Sequence, residues 1–292
     1  GDRRLAGAHP DGARMIDLAR LHDLADPPSG LHVRPPCDPA AVAGRVASPV
    51  VAIVGARAAS REGCAFAQRL AGALTAHGVG VVSGLARGID AAAHAGALER
   101  GGRTVAVLGC GVDRDYPAAT SALAARIATE GAVLSEYPPG TPPAPFRFPE
   151  RNRIVAALAD AVIVIEAAGR SGALITARLG MELGRDVLVV PGAPWQDAFA
   201  GSNLLLRDGA LPLVDAADAL VALGIDPGAA RAGDPDGPGR RVLAALRREP
   251  ASADVLAARC GIAAGAAAAL IAELEAAGHV RRRPDGRLVP VA

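Results

Sequence analysis

The sequence predicts an α/β fold: an extended Rossmann-like parallel sheet covered by helices on both faces, followed by a small winged-helix-like domain. Three observations predict it. Between residues 50 and 192, short and nearly unbroken apolar runs such as VVAIVG and VIVIE alternate with helix-period segments, the pattern of strands buried on both faces and joined by crossover helices. A polar Pro/Gly-rich stretch, IDPGAARAGDPDGPG, then interrupts the chain and reads as a linker. Beyond it, three helix-period segments precede two short strand-like runs around a Pro-Asp-Gly tip, the order of a winged helix.

Residues 1–48 are rich in proline and read as an irregular lead-in, with one short helical pattern near Met15, that packs against the main domain. The main domain, 49–224, opens with a strand at 50–55. A helix follows at 61–77, where Phe66, Leu70 and Leu74 recur at helical spacing and Gly78 ends the run. Strands at 80–84, 104–108, 132–135, 161–166 and 186–190 alternate with helices at 89–100, 121–129, 150–159 and 172–183, and a shorter segment runs to 223. The linker spans 225–238. In the terminal domain, 239–292, helices are expected at 240–248, 252–259 and 264–277, with a hairpin at 279–291.

Half of the 292 residues are apolar (51%), enough for a sizeable core and too many for a disordered chain. Every apolar run is cut by Gly, Pro or Arg well short of the length that spans a bilayer. The first twenty residues lack a basic-then-apolar leader layout. Cys37, Cys64, Cys110 and Cys260 are scattered, with no CxxC pair, as in the reduced thiols of a cytoplasmic protein without a metal site. The net charge of +1 gives no bulk attraction for nucleic acid, and all 31 basic residues are Arg, so only the placement of arginine is informative.

That placement is pointed. Four turns beyond sheet strands read VGARAAS, SGLARGID, FRFPERNR and EAAGRSGALIT. Gly and Ser let backbone N–H groups approach an anion, and Arg offers a planar, permanent cation for phosphate. In the first turn Gly55 and Arg57 are candidate phosphate contacts, with Ser60 capping the next helix; the plainer reading is a glycine turn with Arg57 solvated. In the second, Ser83, Gly84, Arg87 and Gly88 form the candidate loop, Asp90 reads as a structural helix cap, and His94 as a satisfied core histidine. In the third, Arg147, Phe148, Arg151, Asn152 and Arg153 combine cations with a ring on which a base could stack, while Phe146 is equally a stacking ring or a buried anchor. In the fourth, Ser171 and Gly172 open a helix, and Glu166 reads as a structural acceptor for Asn152 or Arg153. Neither GxGxxG nor GxxxxGK[ST] is present, so no nucleotide cofactor is encoded. In the terminal domain the third helix, AAGAAAALIAELEAAG, offers few donors for a DNA groove and carries Glu273 and Glu275. Arg281 to Arg283 read as a solvated run.

VGAR, SGLARGIDAAAH, TVAVLGCGVDRDYP, LSEYPPG, FPERNRIVAALA, VIVIEAAGRSGALITA and VVPG follow one another in an order and spacing that resemble the DNA-processing protein A (DprA/Smf) family, from about residue 26 to 220, with a winged-helix-like tail common in that family. The resemblance implies a protein that binds single-stranded DNA in a basic pocket, works as a homodimer, and protects incoming strands while loading the RecA recombinase in transformation and recombination. It implies no catalytic residue. Its DNA contacts would fall on Arg57, Ser83, Gly84, Arg87, Gly88, Arg147, Phe148, Arg151, Arg153, Ser171 and Gly172. The loop before FP, which often holds Lys in the family, here holds Arg147 and prolines. The alternative on the same architecture is a nucleotide or phosphoribosyl hydrolase using Glu166 or Asp90; a duplex-DNA regulator is disfavoured by the Ala-rich third helix.

Overall fold

The computed structural model describes residues 14–16, 18–227, 238–276 and 278–291; the first part of the lead-in and positions 228–237 of the expected linker lie outside them. The chain divides into two compact units, residues 1–225 and 226–292.

The described part of the lead-in is not irregular. It supplies β1 (Arg14–Ile16), β2 (Leu31–Val33) and α1 (Pro39–Arg45). β2 runs antiparallel to β6 (Ala132–Ser135) and β1 antiparallel to β2, so this edge of the sheet departs from the all-parallel expectation. Arg20 ties the segment down, donating to the Leu158 carbonyl and the Asp160 carboxylate at 2.8 Å each.

The parallel part follows the predicted alternation. β3 (Val50–Gly55), α2 (Arg61–Ala76), β4 (Gly80–Ser83), α3 (Ile89–Glu99), β5 (Thr104–Leu108), α4 (Ser121–Glu130) and β6 lead to α5 (Arg147–Leu158). Then come β7 (Ala161–Ile165), α6 (Ala173–Glu182), β8 (Asp186–Val189), α7 (Ala200–Arg207), β9 (Leu211–Pro212) and α8 (Ala216–Ala222). The main difference is α5, which begins three residues earlier than expected. Pro149 lies in its first turn, where a missing N–H costs no helical hydrogen bond.

The nine strands are ordered β1-β2-β6-β5-β4-β3-β7-β8-β9. From β3 the chain steps to one side as far as β6, then crosses back through α5 to place β7 against the other side of β3. Loops leaving the carboxyl ends of β3 and β7 therefore diverge and open a crevice, the usual ligand position on such sheets. Alternate strand residues feed opposite faces. Val50, Ala52, Val54, Val162 and Val164 pack with Ile154, Leu158 and Leu174 of α5 and α6. Val51, Ile53, Ile163 and Ile165 pack with Leu70, Leu74 and Ile89 of α2 and α3.

The second unit holds α9 (Pro238–Arg248), α10 (Ala253–Cys260), α11 (Ala264–Ala276) and the antiparallel pair β10 (Val280–Arg282) and β11 (Leu288–Pro290). Val242, Leu246, Leu256, Ile271, Leu274, Val280 and Leu288 form its core. Three helices and a wing are thus present as the sequence predicts. Arg282 of the wing pairs with Glu275 of α11 at 3.4 Å.

Candidate nucleic-acid interface

A cleft of about 600 Å³ lies over the crevice between β3 and β7, and a smaller one of about 290 Å³ adjoins it. The larger cleft is lined by parts of all four Gly/Ser/Arg turns, including Gly55, Arg57, Gly84, Phe148, Arg151, Asn152, Ser171 and Gly172; Arg87 borders the smaller one. Topology has gathered segments more than a hundred residues apart.

The chain's seven aromatic residues (four Phe, two Tyr, one Trp) are all absent from the buried hydrophobic core, which among the described residues is built of Leu, Val, Ile and Ala with Cys110. Tyr116 and Phe148 stack in the cleft wall, with centroids 5.4 Å apart, and the Arg57 guanidinium lies over the Phe148 ring at 5.2 Å. Phe148, expected to be a free stacking ring, is already partnered on this wall. Phe146 is the more exposed of the two, at 59%, and Arg147 lies over both Phe146 and Tyr137, at 5.3 and 5.1 Å.

The backbone amides expected to meet an anion at the first two turns are taken by the chain's own carboxylates. Glu166, 4% exposed, accepts from the Ser60 N–H at 2.7 Å and from the Ser60 hydroxyl, which in turn caps α2 by accepting from the Gly63 N–H at 2.9 Å. The partner of Glu166 is therefore Ser60, not the expected Asn152 or Arg153. The Glu166 carboxylate lies over the first turn of α2 so closely that a Cβ on Gly63 would stand 2.3 Å from its Oε1. Its backbone is left-handed, with φ of 50°, which costs a non-glycine residue on the order of 1 kcal/mol and marks a constrained position.

In the second turn Asp90, buried one residue inside α3, accepts from the Gly84 and Ala86 N–H groups at 3.2 and 3.3 Å. It is structural, as expected, but it fastens the preceding loop rather than capping the helix end. Burial pushes its carboxyl above the usual carboxylate range, a rise opposed by Arg151 and these amides. Gly88 has φ of 81°, and a Cβ there would meet the Ala56 carbonyl at 2.3 Å, so only glycine lets the second loop rest on the first. The Ser83 hydroxyl is buried and donates to the Ile53 carbonyl at 2.6 Å, away from the cleft surface.

The arginines divide in the same way. Arg151 is buried beneath the cleft, donating to the carbonyls of Gly84 (2.6 Å) and Val107 and to Asn152 Oδ1 (3.2 Å); burial draws its pKa down to about 10 despite nearby Asp90. Arg153 makes a forked pair with Glu136, at 2.8 and 2.7 Å, and bonds the Asp26 carbonyl. Both act as struts. Asn152 donates to the Gly172 carbonyl at 3.2 Å. Arg57 and Arg87 are exposed at the cleft mouth. A third exposed cation, Arg170, lines the cleft and was missed in the sequence reading. Its signal was in plain view, an Arg directly before the Ser-Gly that opens α6.

The start of α6 differs from that of α2. It begins after Gly172 with no acidic residue in its first turn; the neutral Ser171 hydroxyl accepts from the Ala173 N–H at 3.3 Å, and the helix start faces the cleft beside Arg170. Asp90 is the one carboxylate among the described residues lining either cleft. His94, behind them, is fully buried; its Nδ1 meets the Thr104 hydroxyl at 2.7 Å, and burial, then Arg151, lower its pKa to about 3.

This arrangement can be set against known proteins. The family model described as DNA recombination-mediator protein A matches residues 19–224, and the DprA winged helix domain matches 226–286. The chain belongs to the DNA recombination-mediator protein A family. Among DprA relatives, a putative DNA processing protein DprA of Mycobacterium tuberculosis is 46% identical over 253 residues, covering 83% of this chain and 64% of that protein. The chain thus spans slightly less than two thirds of that relative's length. Protein Smf of Synechocystis is 34% identical, covering 95% of this chain and 77% of its own. The X-ray structure of DNA processing protein A from Streptococcus pneumoniae superposes with a TM-score of 0.64 at 40% identity, covering 70% of this chain and 69% of that one. DNA processing protein A from Helicobacter pylori, whose structure concerns its own single-stranded DNA binding mode, superposes with a TM-score of 0.65 at 29% identity, covering 72% and 95%.

Proposed function

We propose that this chain binds single-stranded DNA in the cleft over β3 and β7, and that it protects such strands and loads the RecA recombinase onto them during DNA uptake and recombination, acting in the cytoplasm as a homodimer. The observation that carries the reading is the start of α6, free of acidic residues, beside Arg57 and Arg170, with Arg87 bordering the adjoining cleft. A helix N-terminus and three unburied guanidinium groups attract phosphates, while a cleft walled by Tyr116 and Phe148 suits bases that have left their stack. Duplex DNA keeps its bases stacked inside and gains little from such a cleft. Family membership and the single-stranded DNA mode of the Helicobacter pylori relative support the same conclusion.

The hydrolase alternative would need Glu166 or Asp90 as an acid or base. Both carboxylates are already held, one by Ser60 and the other by the Gly84 and Ala86 amides. Anisotropy titration with oligo-dT and with duplex of equal length, at several salt concentrations, tests the binding step. Equal affinity for both would refute it. Assembly of RecA on strands precoated with single-strand-binding protein, with and without this chain, tests the loading step.

A further inference from the structure

Residues 56–60 carry Arg57 between two cavities. On one side is the arginine-rimmed cleft. On the other is a cavity of about 890 Å³ lined by Phe66, Phe199 and Val190, with Glu62, Asp197 and Arg69 among its polar groups. Ala56 and Arg57 line the cleft while Ala58, Ala59 and Ser60 line the other cavity, and Arg57 is held on the cleft side with its guanidinium over Phe148.

Both ends of the loop are fastened to the same residue. The Glu166 carbonyl accepts from the Ala56 N–H at 2.8 Å, and the Glu166 carboxylate accepts from the Ser60 N–H and hydroxyl. One residue thus spans the loop with its backbone at one end and its side chain at the other, and its left-handed backbone allows both. The carboxylate also occupies the place over the first turn of α2 where a nucleotide-binding fold would receive phosphate. A bound anion that orders a loop has here been replaced by a built-in one.

We infer that Glu166 is a positioning residue for Arg57: its carboxylate stands in for a phosphate at α2 and fixes the loop so that Arg57 meets the DNA backbone from the cleft side. This rests on the single-stranded DNA reading above, but its physical core, the clamp on residues 56–60, is measurable without DNA. Gln at 166 keeps the size and one acceptor while removing the charge and placing an N–H₂ group against Ser60, and Ser60→Ala removes the hydroxyl contact together with the α2 cap.

Hydrogen exchange on the full chain is the first measurement. In Glu166→Gln the amides of Ala56 and Ser60 should exchange at least about tenfold faster than in the parent, with amides of β3 and β7 unchanged. The second is a double-mutant cycle in oligo-dT affinity. Arg57→Ala and Glu166→Gln should each weaken binding about tenfold, while Glu166→Gln added to Arg57→Ala should change it less than twofold, because the positioned group is gone. Ser60→Ala should reproduce part of the loss and show the same non-additivity. A purely structural role would give equal losses in both backgrounds, overturning the inference. Unchanged exchange and affinity in Glu166→Gln would overturn it too. If the parent fails to bind oligo-dT, the proposed function falls, and the exchange measurement alone decides whether Glu166 clamps the loop.

Discussion

The helices α2 and α6 start at the same edge of the sheet, on adjacent strands, and meet opposite fates. Each follows a strand through a turn containing Gly, Ser and Arg, and each presents the positive end of its dipole there. α2 is closed by the protein itself, with Ser60 as its cap and the Glu166 carboxylate above it. α6 starts after Gly172 without an acidic residue, with only the neutral Ser171 hydroxyl on its first N–H, beside exposed Arg170. The cavity next to α2 carries acidic groups, whereas the cleft next to α6 is rimmed by arginine. Similar turns are therefore not equivalent sites; what decides is whether a distant carboxylate returns to fill one.

The comparison can be broken most directly by removing the cations on the open side. Arg57→Ala with Arg170→Ala should weaken oligo-dT binding about a hundredfold, roughly tenfold for each charge-assisted contact, and reduce the salt slope by about 1.4. Titrations across a salt series would show this; an unchanged slope would place the strand elsewhere.

A second test addresses the layer under the cleft. His94 has a folded pKa of about 3 against an ordinary 6.5. Between those values the unfolded chain binds a proton that the folded chain refuses, so the contribution is complete above about pH 6.5 and is lost as pH falls toward 3, by at most about 1.4 kcal/mol per pH unit. Urea unfolding of the parent and His94→Gln from pH 7 to 5 should show that component in the parent only. Parallel profiles would contradict the burial argument.

Ser171→Asp then gives α6 the kind of carboxylate that α2 already has. Oligo-dT affinity should fall about tenfold, while stability holds or rises by a few tenths of a kcal/mol through the helix dipole. Affinity unchanged in this variant would mean that the α6 end does not face phosphate. For Phe148→Ala, loss of the Tyr116 stack should cost about 1 kcal/mol of stability, or a few degrees in Tm, and loosen Arg57. A thermal melt separates this from a stacking role, which would cost affinity with Tm unmoved. The smallest effect is expected from deleting residues 226–292. Ala-rich α11 lacks groove-reading donors, and Arg282 of the wing is paired with Glu275, so affinity for oligo-dT should change less than about threefold. A near-complete loss would move the principal site to the winged helix.

The sequence by itself determined the alternation of strands and helices, because buried parallel strands read as unbroken apolar runs and the helices between them carry their own period and stops. It also located the four turns and, through their consecutive motifs, the family. It did not reveal β1 and β2: the run near Met15, where β1 stands, carries a helical pattern, and so few residues in a proline-rich segment cannot set strand against helix. Nor could it separate the exposed arginines from the struts: Arg57, Arg87, Arg151 and Arg153 stand in similar turns, yet the first two are exposed while Arg151 is buried under the cleft and Arg153 is locked to Glu136. That division depends on partners brought together only by the sheet. Glu166 and Ser60 are 106 positions apart, and no local pattern links them. Tertiary structure alone decided which helix start receives a carboxylate and which keeps only a neutral hydroxyl, because a carboxylate's nearest donors are set by how β3 and β7 pair, not by what stands beside it in the chain.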